Sequence, residues 1–428
     1  MILALILFLI TYVCLLAFPK WRAYIALMAA SLFIALQIIP IKEVPTAIDW
    51  NVILMIGGTM GIVSLFIASK MPSLMADMII KKMPNMSWAI IALALFAGII
   101  LFHLLHPAFV DNVATVLMVA PVAITISKKL NISPVKSIIA IAISSNLQGA
   151  ATLVGDTTSI MLGSQANMNF IDFFWYQGRP GLFFVVQAAA LVSMLVLVYV
   201  FRKDKQKISL NEKTEVTDYF PTVLLLAMIV LLIIASFIPN KIDITNGLIC
   251  VGLMIVGIIY TMIRTKDWKV FKETVKEIDY FTLMLLAGIF IIIGGLKSAG
   301  VIDEIAKIIQ KMGGGNTFLI YTIIVWTSVL ISAFIDNIPY TATMLPVVAA
   351  IAANLGVDPT VLYFGLISGA TLGGNLTPIG ASANITGLGI LRKEGHEVKA
   401  LDFMKISVPF TLAAVTTGYV LIWLLWGL

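Results

Sequence analysis

Apolar runs of roughly twenty residues, the length a helix needs to cross a hydrocarbon core, recur along this chain from one end to the other. In lipid every backbone polar group must be satisfied within the protein, so such a chain folds as a bundle of helices. Composition agrees. Of 428 residues, 60% are hydrophobic and 12% are charged, whereas a soluble domain carries roughly 25% charged residues. Spans are expected over 2–19, 21–40, 48–67, 86–108, 133–147 and 181–201, then over 219–238, 244–263, 279–297, 317–335, 359–374 and 405–427. The runs 133–147 and 359–374 are too short to cross comfortably alone, and each leads into a Gly/Thr-rich stretch that should break a helix. The opening run, Met1 to Pro19, lacks a basic start and reads as a first membrane helix rather than a cleaved signal. Cys14 and Cys250 both fall inside apolar spans, where two lone thiols make neither a disulfide framework nor a metal site. The formal net charge of +6 sits in short loops, which argues for membrane orientation and against nucleic acid as a partner.

The chain repeats itself. Asp111-Asn112 in FVDNVATVLMVAP matches Asp336-Asn337 in FIDNIPYTATMLP, and a proline follows ten residues after the Asp in both. The same offset of 225 pairs Pro134 with Pro359, Gly149 with Gly374, Thr152 with Thr377 and Gly155 with Gly380, without a gap. Upstream, IDWNVILMIGG (48–58) echoes IDYFTLMLLAG (278–288), pairing Asp49 with Asp279. The chain therefore divides into a first repeat (1–201), a polar linker (202–218) and a second repeat (219–428).

Loop charge sets the relative orientation of the halves. With the linker cytoplasmic, and leaving out the loops beyond the Asp-Asn motifs, inverted halves place 15 basic residues in inside loops and five in outside loops. The opposite orientation reverses that ratio. Inverted halves with both termini outside are thus expected, in a multi-pass protein of the cell (plasma) membrane. The fold class is all-α and polytopic, with two inverted-topology repeats, re-entrant hairpins and unwound membrane helices.

Inverted repeats with interrupted helices place a transport site near the midplane, where broken helices expose backbone groups to a solute. Four segments carry that chemistry. Asp111-Asn112 and Asp336-Asn337 stand near the tips of the expected hairpins, where a buried carboxylate pairs, binds a cation or relays a proton. The same Asp at a helix start also acts as a cap. Thr115 and Thr341 follow closely and offer hydroxyl ligands. GAATLVGDTTSI (149–160) and GGNLTPIGASANI (373–385) interrupt their helices. There Thr152, Thr377, Ser382 and Asn384 are the candidate side-chain ligands, and Asp156 is a further buried acid. Gly155 and Gly380 allow close approach or positive φ. His103 and His106, three apart near the end of the fourth span, belong either to a proton path or to the membrane interface. Segments 70–84 and 298–312 read as interfacial helices linking spans. No metal site, phosphate-cradling loop, nucleophile elbow or zinc motif is found. No enzyme activity and no cofactor are therefore expected beyond Na⁺ or H⁺ as coupling ion, and ATP-driven transport would need a separate soluble ATPase subunit.

The motifs DNIPYTATMLP (336–346) and GGNLTPIGASANI (373–385), with ATLVGDTTSIMLG (151–163), resemble those of the ion transporter superfamily. The likeness is to the ArsB/NhaD permeases and the P-protein-like branch, with a citrate-transporter-like domain. It covers essentially the whole chain. It implies a scaffold helix set, a mobile transport core and a homodimer. By analogy with related divalent-anion/sodium symporters it places sodium and substrate at Asn112, Thr152, Gly155, Asn337, Thr377, Gly380 and Asn384, with Na⁺ at Asn112, Gly155, Asn337 and Gly380. Thr157-Thr158-Ser159 stands where that branch commonly has Pro-Pro-Asn. The hairpin tips carry Asp-Asn where the symporters carry Ser-Asn, and that extra negative charge opposes a dianion.

The leading expectation is a secondary active transporter of a small anion or oxyanion, arsenite-like or a carboxylate, coupled to Na⁺ or H⁺. The alternatives are a Na⁺/H⁺ antiporter using Asp111, Asp156 and Asp336, and an anion channel on the same scaffold.

Overall fold

The computed structural model describes residues 1–71, 74, 78, 112–129, 132–204, 215–238 and 242–428. The expected span 86–108, Asp111, His103, His106 and nearly all of segment 70–84 lie outside them. The molecule is an all-α membrane protein. Among the described residues six helices are long and apolar enough to cross a bilayer, and several shorter apolar helices accompany them.

The first half gives α1 (Ile2–Ala17), α2 (Arg22–Ala35), α3 (Trp50–Ala68), α4 (Asn112–Lys129), α5 (Val135–Gly149), α6 (Thr157–Gln165) and α7 (Leu182–Phe201). The second gives α8 (Phe220–Ser236), α9 (Thr245–Thr265), α10 (Lys269–Glu277), α11 (Tyr280–Ser298), α12 (Val301–Met312), α13 (Thr317–Ser332), α14 (Asn337–Leu355), α15 (Thr360–Gly373), α16 (Ser382–Lys393) and α17 (Ala400–Trp426). The only strands described are a two-residue pair, Trp175–Tyr176 with Arg179–Pro180. Gln177 and Gly178, both at positive φ, turn the chain between them.

Small residues set the helix crossings. A Cβ on Gly58 of α3 would lie 2.5 Å from the backbone of Cys250 on α9. A Cβ on Gly288 of α11 would lie 2.7 Å from the backbone of Ala26 on α2. In lipid, close backbone approach of this kind replaces the hydrophobic drive that holds soluble helices together. Gly58 and Gly288 close the two matched segments 48–58 and 278–288, and each packs on a helix of the other half.

Asp49 and Asp279, the matched acids of those segments, prove to be helix caps. Asp49 accepts the backbone N–H of Val52 at 3.0 Å, and Asp279 accepts that of Thr282 at 3.0 Å. Segment 264–277, read from sequence as a charged loop, contains the helix α10. The interruptions expected after 149 and 374 are present. α5 stops at Gly149 and α6 starts at Thr157; α15 stops at Gly373, a 3₁₀ turn covers Gly374–Leu376, and α16 starts at Ser382.

Candidate functional site

Four helices begin at one cavity. Asn112, Thr157, Asn337 and Ser382 are the first residues of α4, α6, α14 and α16, and all four line a cavity of about 560 Å³. A helix start leaves backbone N–H groups without intrahelical partners and carries roughly half a positive charge. The buried end of this cavity therefore gathers the partial positive charges of these helix starts. Its exposed end carries Glu273 and Glu277 of α10 and the cap Asp279. One cavity thus offers carboxylates at the mouth and helix N-termini at the floor.

Two acids sit among the N-termini. Asp156, 3% exposed, lines the cavity just ahead of α6. Its Oδ2 accepts the Thr158 hydroxyl at 3.0 Å and the Asn337 amide at 3.3 Å. Thr158 in turn bonds the Thr371 hydroxyl at 3.0 Å. A first-half acid is thereby held by Asn337, the first residue of α14 in the second half. Asp336 does something different. It caps α14 by accepting the Ile338 N–H at 3.1 Å, accepts the Ser382 hydroxyl at 3.1 Å, and lies 3.6 Å from the guanidinium of Arg22. Asp336 thus caps α14, and its charge is balanced by an arginine from α2.

Arg22 was not among the sequence candidates, and neither was Tyr12. The Tyr12 hydroxyl donates to the Pro339 carbonyl at 2.8 Å and bonds the Thr343 hydroxyl at 2.6 Å. Together they fix the first turns of α14 against α1 and α2. Removing one partner of a buried ion pair strands the other charge, a loss of about 3–5 kcal/mol. Arg22→Met is therefore expected to lower the unfolding temperature of the detergent-purified protein. The double change Arg22→Met/Asp336→Asn should recover most of the loss, because no lone charge remains.

Beside the acids lies a cluster of buried amides. Asn146 of α5 is at its centre. Its Oδ1 accepts the Asn112 amide at 2.9 Å, and its Nδ2 donates to Asn375 at 2.7 Å and to Asn384 at 3.1 Å. Asn375 donates onward to the Ile143 carbonyl at 2.9 Å. Asn384 donates to the carbonyls of Gly374 at 3.1 Å and Thr377 at 3.0 Å. The helix break in each half is closed by the same bond at the same repeat position. The Ser159 hydroxyl donates to the Gly149 carbonyl at 3.0 Å, as the Asn384 amide does to that of Gly374.

Of the residues singled out in the sequence, Asn112, Asp156, Asn337 and Ser382 meet at the cavity. Asn384 lies behind them in the amide cluster. Thr377 donates its hydroxyl to the Ala333 carbonyl and so ties the second break to the turn before α14. Gly380 is needed for space. A Cβ there would come within 2.6 Å of the Gly374 oxygen and 2.8 Å of the Ala333 and Ser332 oxygens. Thr152 and Gly155 form the first break, where the Gly155 N–H bonds the Thr152 carbonyl at 3.2 Å. Thr115 and Thr341 are fully buried, one turn or so into their helices, and neither lines this cavity. The Thr341 hydroxyl has no hydrogen-bond partner among the described residues. Besides Arg22 and Tyr12, the residues missed were Asn146, Asn375, Thr158 and Thr371. Asn146 and Thr371 are 225 apart, so the repeat offset itself could have pointed to them.

A second cavity, of about 1570 Å³, is lined by Asp49, Asn51, Ser164, Lys297 and Pro346 among others. α3 starts there and ends at the first cavity, while α11 starts at the first and ends at the second. The two matched helices thus run in opposite directions between the two cavities.

Comparison with known proteins gives the family. An uncharacterized transporter of Mycobacterium tuberculosis is 30% identical over 415 residues, covering 94% of this chain and 93% of its own length. The human P protein is 26% identical over 458 residues, covering 87% of this chain and 53% of its own length. The crystal structure of the Alcanivorax borkumensis YdaH transporter, described as having an unusual topology, superposes with a TM-score of 0.57 over 95% of this chain and 97% of that one. At 12% identity that likeness speaks for the fold alone. The model of the CitMHS family, described as citrate transporter, matches residues 6–369. With four helix starts gathered at one cavity in a polytopic bundle, and with most of its length matched by that model, the chain is a membrane transporter and belongs to the citrate transporter family.

Proposed function

We propose that this transporter is a secondary carrier of a small anion or oxyanion, a carboxylate or an arsenite-like species, coupled to Na⁺ or H⁺. The observation that carries the proposal is the convergence of four helix N-termini on one cavity. Helix starts are ready anion sites, since dipole and free N–H groups act together. The cavity volume of about 560 Å³ falls within the roughly 300–1,000 Å³ usual for small-molecule sites. The mouth carboxylates Glu273, Glu277 and Asp279 raise the local concentration of a coupling cation. The opposed directions of α3 and α11 support inverted halves, and with them alternating access from the two cavities. The reading includes a plasma-membrane location, a cytoplasmic linker and outside termini. Na⁺ would use oxygens near Asn112, Gly155, Asn337 and Gly380. The family's description makes citrate-like carboxylates the first solutes to try.

The test is uptake into proteoliposomes of labelled citrate, phosphate or arsenite under an inward Na⁺ or H⁺ gradient. One of these solutes should accumulate uphill. Asn337→Ala should raise its KM about 10- to 100-fold, the cost of one hydrogen bond to a charged group. Flux that only follows voltage, with no accumulation, would sink the proposal. A second reading, Na⁺/H⁺ antiport, is favoured by one observation: Asp156 shares its cavity with the three carboxylates at the mouth.

A further inference from the structure

α10 is a nine-residue helix with three separate faces. Val270, Glu273, Thr274 and Glu277 recur at helical spacing and line the transport cavity. Lys269, Lys272 and Lys276 share a second face, and all three are exposed. Trp268, just before the helix, and Phe271 and Val275 share the third. Trp268 is 81% exposed, the highest value among the large apolar side chains described, and Phe271 is 53% exposed. The helix thus sorts its charges. Its glutamates turn toward the cavity and its lysines turn away, beside an uncovered aromatic strip.

The geometry points to a docking surface for anionic phospholipid on this outer face of α10. An aromatic strip enters the boundary between headgroups and acyl chains, and adjoining lysines reach the headgroup phosphates. Neighbouring groups frame the surface without cancelling it. Arg264 is engaged by Asp218 and by the Thr217 carbonyl at 3.0 Å. The Asp267 carboxylate accepts the Lys269 backbone N–H at 2.8 Å. Lys266, at positive φ, closes α9 and turns the chain into α10. Because the opposite face of α10 forms the cavity rim, the lipid surface holds that rim in place. The carrier proposal is not needed for this inference, since lipid docking is read without any solute.

The purified full-length protein in neutral detergent is titrated with phosphatidylglycerol and, separately, with phosphatidylcholine, while its unfolding temperature is followed. Phosphatidylglycerol should raise that temperature more than phosphatidylcholine does. At least half of the difference should vanish in Lys269→Gln/Lys272→Gln/Lys276→Gln, and the shift should weaken as salt rises. Lys269→Arg/Lys272→Arg/Lys276→Arg should keep it. These side chains are exposed, so neither variant threatens folding. An unchanged phosphatidylglycerol response in the glutamine variant would overturn the inference. So would an equal shift with phosphatidylcholine, or with inorganic phosphate alone.

Discussion

Gly380→Ala is expected to abolish transport and to lower the unfolding temperature markedly. The added Cβ would come within 2.6–2.8 Å of three backbone oxygens, those of Gly374, Ala333 and Ser332. Backbone oxygens on both sides of a helix break cannot step aside as a flexible side chain can. Overpacking of this kind costs about 1–3 kcal/mol, and here the strain falls on the turn that carries Asp336 and Asn337. Gly389→Ala, inside helix α16 just beyond that break, is the control. A Cβ at Gly389 meets nothing within 4 Å among the described residues, so replacing glycine inside a helix should leave stability equal or raise it by about 0.5–1 kcal/mol. Thermal unfolding of both variants, read beside solute uptake, separates strain at the break from a general intolerance of alanine. Equal effects from the two substitutions would contradict the account.

Asn146→Leu should be comparably severe, for the opposite reason. Asn146 is fully buried and engages the amides of Asn112, Asn375 and Asn384. Leucine keeps its branched shape and number of heavy atoms, is somewhat bulkier, and offers no polar atom. Each buried amide group left without a partner costs about 1–3 kcal/mol, and the three partners belong to both halves of the chain. The expected result is a large drop in unfolding temperature together with loss of uptake. Ser144→Ala, two residues away, is the comparison. The Ser144 hydroxyl is buried without a hydrogen-bond partner among the described residues, so its removal should cost little or even stabilise. A mild phenotype for Asn146→Leu would mean that the amide cluster does not hold the halves together.

The helices were legible because the solvent dictates them: an apolar run of sufficient length in lipid has no other fold available. The two breaks were legible because Gly and Thr interrupt matched apolar runs at one offset. The charge balance of Asp336 was not, since it depends on Arg22, which lies more than three hundred residues earlier in the sequence. The amide cluster was hidden for the same reason. Asn146 meets Asn375 and Asn384 only when the halves interlock, and no local pattern announces a contact across 229 residues. Asp49 and Asp279 show the converse. Their repetition was visible in the sequence, and its local physical meaning is a capped helix start. α10 was hidden by its charge, because five basic residues between 264 and 277 read first as an inside loop.

The central claim is that the cavity floor handles an anion and that cation movement depends on it. The most direct measurement uses proteoliposomes loaded with a pH dye and given a Na⁺ gradient, first without any anionic solute and then with one that the uptake screen identifies. The account predicts no pH change in the first condition and cation-dependent solute accumulation in the second. A Na⁺-driven pH change without solute, lost in Asp156→Asn, would contradict it and make cation/proton exchange the activity of this site.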